Sequence, residues 1–270
     1  QLKVQNPELE IKGIQHHYAH ILGVMAEKQL DGKVLGVAFD GTGYGDDGTL
    51  WGGEFLVCDY EGFERVAHLN CFKLLGGAKA VREPRRVALG MLFDLYGEEA
   101  LKLQNPATQA FSPSELKIHL RAWQKSLNAP LSSSSGRLFD AVASLAGVCQ
   151  VMSFEGESGM LLEELYDKSV KGHYRFGYEN GKIDTLALIE EMLRECDTPE
   201  VAVSKFFHTL VEMIAAVCEQ YDLPLVLSGG VFQNRVLLEL VLERFPDAHV
   251  PGLFPPNDGG IALGQMVLVG

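Results

Sequence analysis

The chain has 270 residues, of which 47% are hydrophobic and 22% charged, so it is not a disordered chain and suits one large domain or two smaller ones. Its 36 acidic and 23 basic residues give a net charge of -13, which argues against binding nucleic acid over a large surface. The five cysteines form no C-x-x-C pair, so we expect neither a disulfide framework nor a zinc ribbon, but a reducing, cytoplasmic location.

Two further expectations concern the surroundings of the chain. Neither a signal peptide nor an apolar run long enough to cross a bilayer is recognised in the sequence, so we predict no membrane association. The chain begins with Gln1 and reaches a histidine-rich motif almost at once, which suggests that it is part of a longer protein.

The first predicted elements form a meander of three strands. An apolar strand at residues 33–39 is expected to end in a glycine-rich turn at residues 40–48. Further strands are expected near residues 53–59 and 65–70.

Helices are predicted for the middle of the chain. One starts at Pro84, and another covers about residues 114–126 with its cap at Ser114 and Glu115. The serine tract at residues 132–135 is expected to form a loop and to cap a helix that follows it, and one more helix should follow Gly156.

Strands and helices alternate in the last hundred residues. A hairpin is expected at residues 173–184, around an Asn-Gly turn, and an amphipathic helix follows it. The order after that is a strand at residues 225–227, a helix from about Asn234, a strand near Val250 and a helix from about Gly259. This alternation predicts an α/β protein with a mostly parallel sheet.

The histidine motif at residues 16–20 is the first candidate for chemistry. If it is helical, His16 and His20 lie one turn apart on one face, whereas His17 points roughly 100° away. Two imidazoles at this spacing can bind one metal ion. The pair alone is weak evidence, because histidines near a helix start are also common as surface or capping residues.

Asp40 and Asp258 are candidate carboxylate partners for this pair. Asp40 ends a predicted strand and Asp258 lies in a loop after one, and such loops at strand ends are where α/β proteins bind ligands. A mixed set of nitrogen and oxygen ligands suits Fe(II), Mn(II) or Zn(II). The alternative is that each aspartate only forms a turn, since Asp-Gly is an ordinary turn sequence.

Several glycines at strand ends are candidate contacts for a nucleotide. Gly41 and Gly43 follow the first strand, and Gly229 and Gly230 link a later strand to a helix. Glycine lets the backbone approach a phosphate, and a helix N-terminus supplies free N–H groups. None of these turns matches a P-loop or a dinucleotide motif, so each can equally be a turn alone.

Three other polar features stay open between a ligand role and a structural one. Asp140 can accept hydrogen bonds from a ribose or be an exposed helical acid, and Asn234 can contact a ligand or cap a helix. A basic cluster can anchor an anion or form a solvated helix face. Its residues are Lys73, Lys79, Arg82, Arg85 and Arg86.

In motifs that run along nearly its whole length, the chain resembles the C-terminal domain of the HypF family, the carbamoyltransferases of nickel–iron hydrogenase maturation. The first motifs are Gln-His-His-Tyr-Ala-His at residues 15–20, Phe-Asp-Gly-Thr-Gly-Tyr-Gly at 39–45 and Leu-Trp-Gly-Gly-Glu at 50–54. The later ones lie at residues 128–131, 134–142, 154–157, 227–235 and 257–260.

The resemblance implies an α/β fold of the acetate/sugar kinase–Hsp70–actin kind. This fold has two ribonuclease-H-like lobes, here roughly residues 1–130 and 131–270, with the opening strands of the first lobe missing. It also implies a divalent metal, Fe, Zn or Mn, with Mg possible beside a nucleotide. The implied metal and catalytic residues are His16, His20, Asp40 and Asp258. The implied contacts to ATP, AMP or carbamoyl-adenylate are Gly41, Thr42, Gly43, Asp140, Gly156, Gly229, Gly230 and Asn234.

The reaction implied by the resemblance is carbamoyl transfer from carbamoyl-adenylate to the C-terminal cysteine of a partner, HypE. Full-length members carry acylphosphatase-like and YrdC-like domains before this one. We therefore expect this chain to lack the synthesis of carbamoyl-adenylate.

Two alternatives are kept open. A small-molecule kinase or ATPase of the same superfold needs a phosphate-loop aspartate and Mg²⁺, but not two histidines. A nucleotide-binding fragment without activity of its own would bind nucleotide and transfer nothing to a thiol.

Overall fold

The computed structural model describes residues 12–269, and its framework is one eight-stranded mixed sheet. Its first three strands form the predicted antiparallel meander: β1 (Val34–Tyr44), β2 (Leu50–Cys58) and β3 (Phe63–Leu69). The other strands are β4 (Phe72–Lys73), β5 (Leu131–Ser132), β6 (Gly177–Glu179), β7 (Lys182–Asp184) and β8 (Leu225–Ser228). The hairpin of β6 and β7 confirms the predicted Asn-Gly turn.

Helices cover the sheet. The α-helices are α1 (His16–Lys28), α2 (Pro84–Tyr96), α3 (Pro106–Gln109), α4 (Pro113–Gln124), α5 (Ser135–Leu145), α6 (Glu157–Glu164), α7 (Leu186–Glu195), α8 (Pro199–Cys218), α9 (Arg235–Arg244) and α10 (Ile261–Met266). Short 3-10 helices cover Gly77–Lys79, Gly97–Lys102, Gly230–Gln233 and Asp258–Gly260.

The prediction of a mostly parallel sheet was wrong, because the sheet is mixed, and of the strands in the last hundred residues only β7 and β8 pair with the meander. β8 is parallel to β1, but four of the seven pairings between these strands are antiparallel. The strand predicted near Val250 is reduced to a single parallel bridge between Val226 and His249. Pro246 and Pro251 flank it, and proline cannot donate a ladder hydrogen bond.

The predicted turn at residues 40–48 was also wrong in its bounds. β1 continues to Tyr44, which pairs with Leu50, and the strand register shifts between Phe39 and Gly43. Gly43 allows close packing rather than a turn: a Cβ on this residue would lie 2.4 Å from Cε1 of His17. The turn itself is at residues 45–49, closed by a hydrogen bond from Gly45 N to Thr49 O (3.0 Å).

The helix caps agree with the prediction at Ser134 and Asn234 and differ at α4. The cap of α4 is Ser112, not Ser114: its side chain accepts a hydrogen bond from Glu115 N, and Pro113 takes the first helical position. Ser134 caps α5 and Asn234 caps α9 in the same way, each through a backbone N–H three residues further on.

One helix meets the length and composition expected of a membrane span, contrary to the prediction that the chain holds no such run. This helix is α8, and 67% of its apolar stretch is buried within the protein. Phe206 and Phe207 of α8 are fully buried in the larger apolar core, against Phe139 of α5. Here α8 is a core helix.

The C-terminal helix α10 packs very closely on α1, and this contact places the last loop beside the histidines. A Cβ on Gly264 would lie 1.9 Å from the carbonyl oxygen of Ala19, and one on Gly23 would lie 3.2 Å from that of Gly260. Only glycine allows the two backbones to meet at this distance. The division into lobes near residue 130 stays a prediction.

Gly264→Ala tests this contact. In an ordinary helix, Gly→Ala stabilises by about 0.5–1 kcal/mol. Here the methyl group has no space, and we expect a loss of about 1–3 kcal/mol in the free energy of unfolding. Gly159→Ala in α6 is the matched control, because its Cβ would meet Phe139 at an ordinary 3.9 Å. Urea unfolding of both variants gives the two changes, and an equal effect would contradict the packing described.

Candidate metal centre

Four side chains from three distant parts of the sequence converge at one end of α1. His16 and His20 come from α1, Asp40 from the irregular part of β1, and Asp258 from the 3-10 helix before α10. One ligand atom from each lies within 4.8 Å of the others. These are the four residues that the sequence predicted as metal ligands.

The distances between the ligand atoms match a metal shell. Nε2 of His16 lies 3.0 Å from Oδ2 of Asp40 and 3.5 Å from Oδ1 of Asp258, and Nε2 of His20 lies 3.5 Å from both carboxylates. Metal–ligand bonds of 2.0–2.2 Å in a tetrahedron imply ligand–ligand distances of about 3.4 Å. Four of the six distances are therefore close to those of a four-coordinate site, and all the ligand atoms lie within 4.8 Å of one another.

The two oxygens of Asp40 have different partners. Oδ1 accepts hydrogen bonds from the N–H groups of Gly41 (2.8 Å) and Gly230 (3.1 Å), whereas Oδ2 faces the two histidines. Burial alone would raise the pKa of this carboxyl, but the hydrogen bond with His16 and the neighbouring His20 hold it well below its usual range. Asp40 is therefore an anion with one oxygen fixed and one available to a cation.

The histidines provide the observation that tests whether a cation fits. Nε2 of His20 is buried and has no hydrogen-bond partner among the described residues, although it points at two carboxylates. A buried polar atom without a partner is costly and needs an explanation. Bonding to a metal ion explains it, and the residues present fit such a group.

His16 and His17 differ sharply in charge preference. The hydrogen bond to Asp40 raises the pKa of His16 above its usual value. His17 is fully buried, and burial lowers its pKa to about 3, so it is neutral. Its Nδ1 lies 3.2 Å from the amide nitrogen of Gln15, whose oxygen caps α1 at Tyr18 N.

Sequence reasoning left His17 without a role, and the structure shows that its ring packs beside the four-residue group. Its ring lies against Gly43 and 6.0 Å from the ring of Trp51. Like Asp40, Gly43 belongs to the irregular end of β1. His17 thereby helps to fix the backbone that carries Asp40.

A buried charge network behind Trp51 was also missed. Glu54 is fully buried, and its carboxylate accepts hydrogen bonds from Gly53 N (3.1 Å), Ser133 Oγ (2.5 Å) and Arg65 Nε (2.6 Å). The guanidinium of Arg65 lies 4.0 Å from the centre of the Trp51 ring. Nothing in the spacing of Glu54 and Arg65 marks them as partners, because the contact depends on the register of β2 and β3.

The serine tract joins this network to the metal centre. Its four serines, Ser132–Ser135, are fully buried. Ser134 Oγ donates to the carbonyl oxygens of Asp40 (2.9 Å) and Gly41 (2.6 Å), and Ser135 Oγ donates to that of Gly52 (2.6 Å). The tract is therefore more than the loop and helix cap that the sequence suggested, because it holds the backbone on both sides of the site.

The structure places most of the predicted nucleotide contacts in one connected region. A Cβ on Gly136, in the first turn of α5, would lie 2.8 Å from the Cα of Gly41. Gly230 donates to Asp40, and a Cβ on Gly229 would lie 2.2 Å from the carbonyl oxygen of Phe39, so these two glycines bring β8 onto β1. Thr42 is exposed next to them.

Asp140 is buried, which contradicts the alternative of an exposed helical acid. Its Oδ1 accepts a hydrogen bond from Ser158 Oγ (2.5 Å), and its Oδ2 lies 3.1 Å from Nε of Arg137. Burial raises the pKa of Asp140 to about 6, against the opposing effect of Arg137 and the hydrogen bond from Ser158. The residue links α5 to the start of α6.

Asn234 and Gly156 have structural roles of their own. Asn234 caps α9 through its oxygen (2.9 Å to Leu237 N), and its amide nitrogen donates to the carbonyl of Gly159 (3.0 Å). Gly156 is exposed at the start of α6 with φ of 83°. In the basic cluster, Arg85 and Arg86 pair with Glu83, and Lys73 donates to the carbonyl of Trp123.

Comparison with known proteins shows the family to which this chain belongs. A family model described as "Carbamoyltransferase, Kae1-like Domain, second subdomain" matches residues 36–265. A carbamoyltransferase HypF of Synechocystis is 36% identical over 97% of this chain, and one of Rhodobacter capsulatus is 38% identical over 94%. The chain belongs to the HypF carbamoyltransferase family.

Solved structures of HypF agree with this membership. A full-length HypF in a phosphate- and nucleotide-bound form matches with a TM-score of 0.89 and 36% identity over 99% of this chain, which spans 44% of that protein. The HypF of T. kodakarensis matches with a TM-score of 0.82 and 31% identity over 99% of this chain, 37% of that protein. The predicted α/β fold of the acetate/sugar kinase–Hsp70–actin kind is confirmed.

The chain corresponds to a part of these HypF proteins. It spans 37% of the Synechocystis protein and 35% of the Rhodobacter protein. The family-model match starts inside β1, so α1 with His16 and His20 lies before it.

Glu54→Ala tests the network that holds this HypF-type site. Removing one partner of a buried ion pair costs about 3–5 kcal/mol, because the other charge is left uncompensated. We expect a loss near the lower end, since Arg65 keeps its contact to Asp47 (3.0 Å). Glu64→Ala is the matched control on the exposed side of β3 and should change stability by less than about 0.5 kcal/mol. Similar urea midpoints for both variants would contradict this prediction.

Proposed function

We propose that this chain is the carbamoyl-transferring part of a longer HypF protein and transfers a carbamoyl group from carbamoyl-adenylate to the C-terminal cysteine thiol of HypE. The observation that carries the proposal is the convergence of His16, His20, Asp40 and Asp258 beside the glycine-rich segment at residues 41–43. Family membership supports the reaction class. A kinase of the same superfold has no need for the two imidazoles.

The four converging residues would hold a divalent cation, Fe, Zn or Mn. A cation bound there would polarise the carbamoyl carbonyl and neutralise charge on the phosphate of the leaving group. Oδ2 of Asp40 and the buried Nε2 of His20 are directed toward the same point, while Oδ1 of Asp40 is held by two backbone N–H groups. These two hydrogen bonds to Oδ1 would keep the Asp40 carboxylate from rotating when substrate binds.

The nucleotide would lie along the neighbouring glycine-rich segments, where residues without side chains leave the backbone open to a phosphate. Asp140 would accept hydrogen bonds from the ribose. The proposed contacts are Gly41, Thr42, Gly43, Asp140, Gly156, Gly229, Gly230 and Asn234. The related full-length HypF structure is described as phosphate- and nucleotide-bound, which supports a nucleotide as the ligand.

The transfer itself forms a bond from sulfur to the carbamoyl carbon and breaks the bond from that carbon to the phosphate oxygen. AMP leaves, and the thiol proton passes to solvent. Four of the chain's five cysteines are poor nucleophiles: burial raises the pKa of Cys58 to about 12 and that of Cys218 to about 11, and it also raises the pKa values of Cys71 and Cys149. A thiol supplied by a partner therefore suits the site.

The remaining parts of the proposal concern the rest of the HypF protein. Its acylphosphatase-like and YrdC-like domains would make the carbamoyl-adenylate, and the whole would act in the cytoplasm without binding nucleic acid or membrane. A net charge of -13 supports the exclusion of nucleic acid.

Metal binding is the first test. His16→Ala and His20→Ala should each weaken Zn²⁺ affinity by at least about 100-fold, because each removes one of four ligands. Affinity is measured by competition with a coloured chelator. His173→Ala is the matched control: this histidine lies outside the four-residue group, and its loss should leave the affinity unchanged. Equal affinity in all three variants would contradict the metal centre.

Carbamoyl transfer is the second part of the test. The metal-loaded chain is incubated with carbamoyl-adenylate and a peptide that ends in the cysteine of HypE, and the peptide mass is measured. We expect a carbamoylated peptide for the wild type and none for Asp258→Ala. Nucleotide binding with no transfer would favour the inactive fragment, and phosphate transfer from ATP to a small molecule would favour the kinase.

A further inference from the structure

Glu27 makes an unusual set of contacts near the end of α1. Its Oε1 accepts a hydrogen bond from Gly252 N (2.8 Å), and its Oε2 accepts from Leu253 N (3.0 Å) and Phe254 N (3.4 Å). The side chain is only 4% exposed, and Lys28 lies 2.8 Å from it. One carboxylate thus binds three successive N–H groups of the loop that leads to Asp258.

The position of Glu27 is unfavourable for the helix itself. It is the penultimate residue of α1, where a negative charge opposes the helix dipole. An acidic residue in the last turn of a helix is expected to make favourable contacts elsewhere that offset this cost. For Glu27 the compensation is the loop, whose three N–H groups have this carboxylate as acceptor.

Glu27 also lies on the same face of α1 as the metal ligands. His16, His20 and Glu27 are separated by four and seven residues, the spacing of one helix stripe. Gly23 completes this stripe and contacts Gly260. One face of α1 therefore carries two of the proposed metal ligands at its start and binds the loop at its end.

The position of this loop determines the position of the turn that contains Asp258. A Cβ on Gly260 would lie 2.6 Å from the carbonyl oxygen of Pro255 and 3.8 Å from Cβ of Phe254, so the middle of the loop packs on the turn that contains Asp258. The far end is held by a hydrogen bond from Gly229 N to Pro256 O (2.9 Å).

Asp258 depends on this backbone more than the other ligands do. Its side chain is 73% exposed, whereas that of Asp40 is 10% exposed and is held by two N–H groups. Within the described residues, the carboxylate of Asp258 contacts only the two histidines. The loop must therefore set the place of the carboxylate.

We propose that Glu27 is a positioning residue for the metal centre, which fixes the loop at residues 252–254 so that Asp258 reaches His16 and His20. The inference rests on the proposed metal centre and goes beyond it by giving a role to a residue outside the ligand set. Glu27 lies outside the four-residue group that would hold the metal.

The loop is tested first without metal. Hydrogen exchange of the peptide at residues 251–260 should become faster in Glu27→Ala, because three N–H groups lose their acceptor. Glu195→Ala is the matched control: Glu195 also ends a helix and pairs with a lysine, Lys205 at 2.7 Å, but lies outside the metal-ligand group. Unchanged exchange in Glu27→Ala would overturn the proposal.

Zn²⁺ affinity is the second readout. Glu27→Ala should weaken binding by about 10-fold, the usual effect of losing a residue that orients a ligand. In an Asp258→Ala background the same change should alter affinity by less than about twofold, since the two residues act as one unit. Glu27→Gln keeps an acceptor oxygen and should fall between the wild type and Glu27→Ala.

The outcomes separate the inference from the proposed function. A wild type that binds no Zn²⁺ overturns the metal centre and the inference with it. A wild type that binds Zn²⁺ while Glu27→Ala binds equally well overturns the inference alone. A 10-fold loss in both backgrounds shows a general effect on folding and also overturns it.

Discussion

The carboxylate of Asp40 connects the three segments on which the site depends. Its Oδ1 is fixed by N–H groups of β1 and of the turn after β8, and its Oδ2 faces His16 and His20 of α1. Ser134, the cap residue of α5, donates a hydrogen bond to the backbone carbonyl of Asp40. A buried carboxylate is stable only when donors or cations surround it. The fold supplies the donors on one side, and a metal ion would complete the other side.

The rest of the architecture brings backbones close enough for this arrangement. Glycines at 43, 229 and 264 let β1, β8 and α10 come close to their neighbours at points where any Cβ would collide. The buried Glu54–Arg65 ion pair joins β2 to β3 behind Trp51. His16, His20 and Asp40 therefore lie on elements that the core fixes independently. Asp258 is the exception, because it is exposed and reaches the site on a loop. This division leaves one side of the centre open to a substrate.

Much of this could be predicted from the sequence, and the exceptions have physical reasons. The pairing of His16 and His20 was predictable because helix spacing places them on one face. Both aspartates also join this group, although Asp40 lies inside β1 and Asp258 follows a single bridge rather than a strand. The mixed sheet and the continued β1 were not predictable, since glycines needed for close packing have the same signature as turns. The serine tract, Glu54 and Glu27 act through contacts with residues far along the chain, which spacing alone does not reveal.

The central claim is that two imidazoles and two carboxylates form one metal-binding group. X-ray absorption of the chain loaded with one equivalent of Zn²⁺ tests it most directly. We predict only nitrogen and oxygen neighbours at about 2.0–2.2 Å, with imidazole scattering that decreases when His20 is replaced by alanine. A sulfur neighbour at about 2.3 Å, or an unchanged spectrum in His20→Ala, would contradict the account.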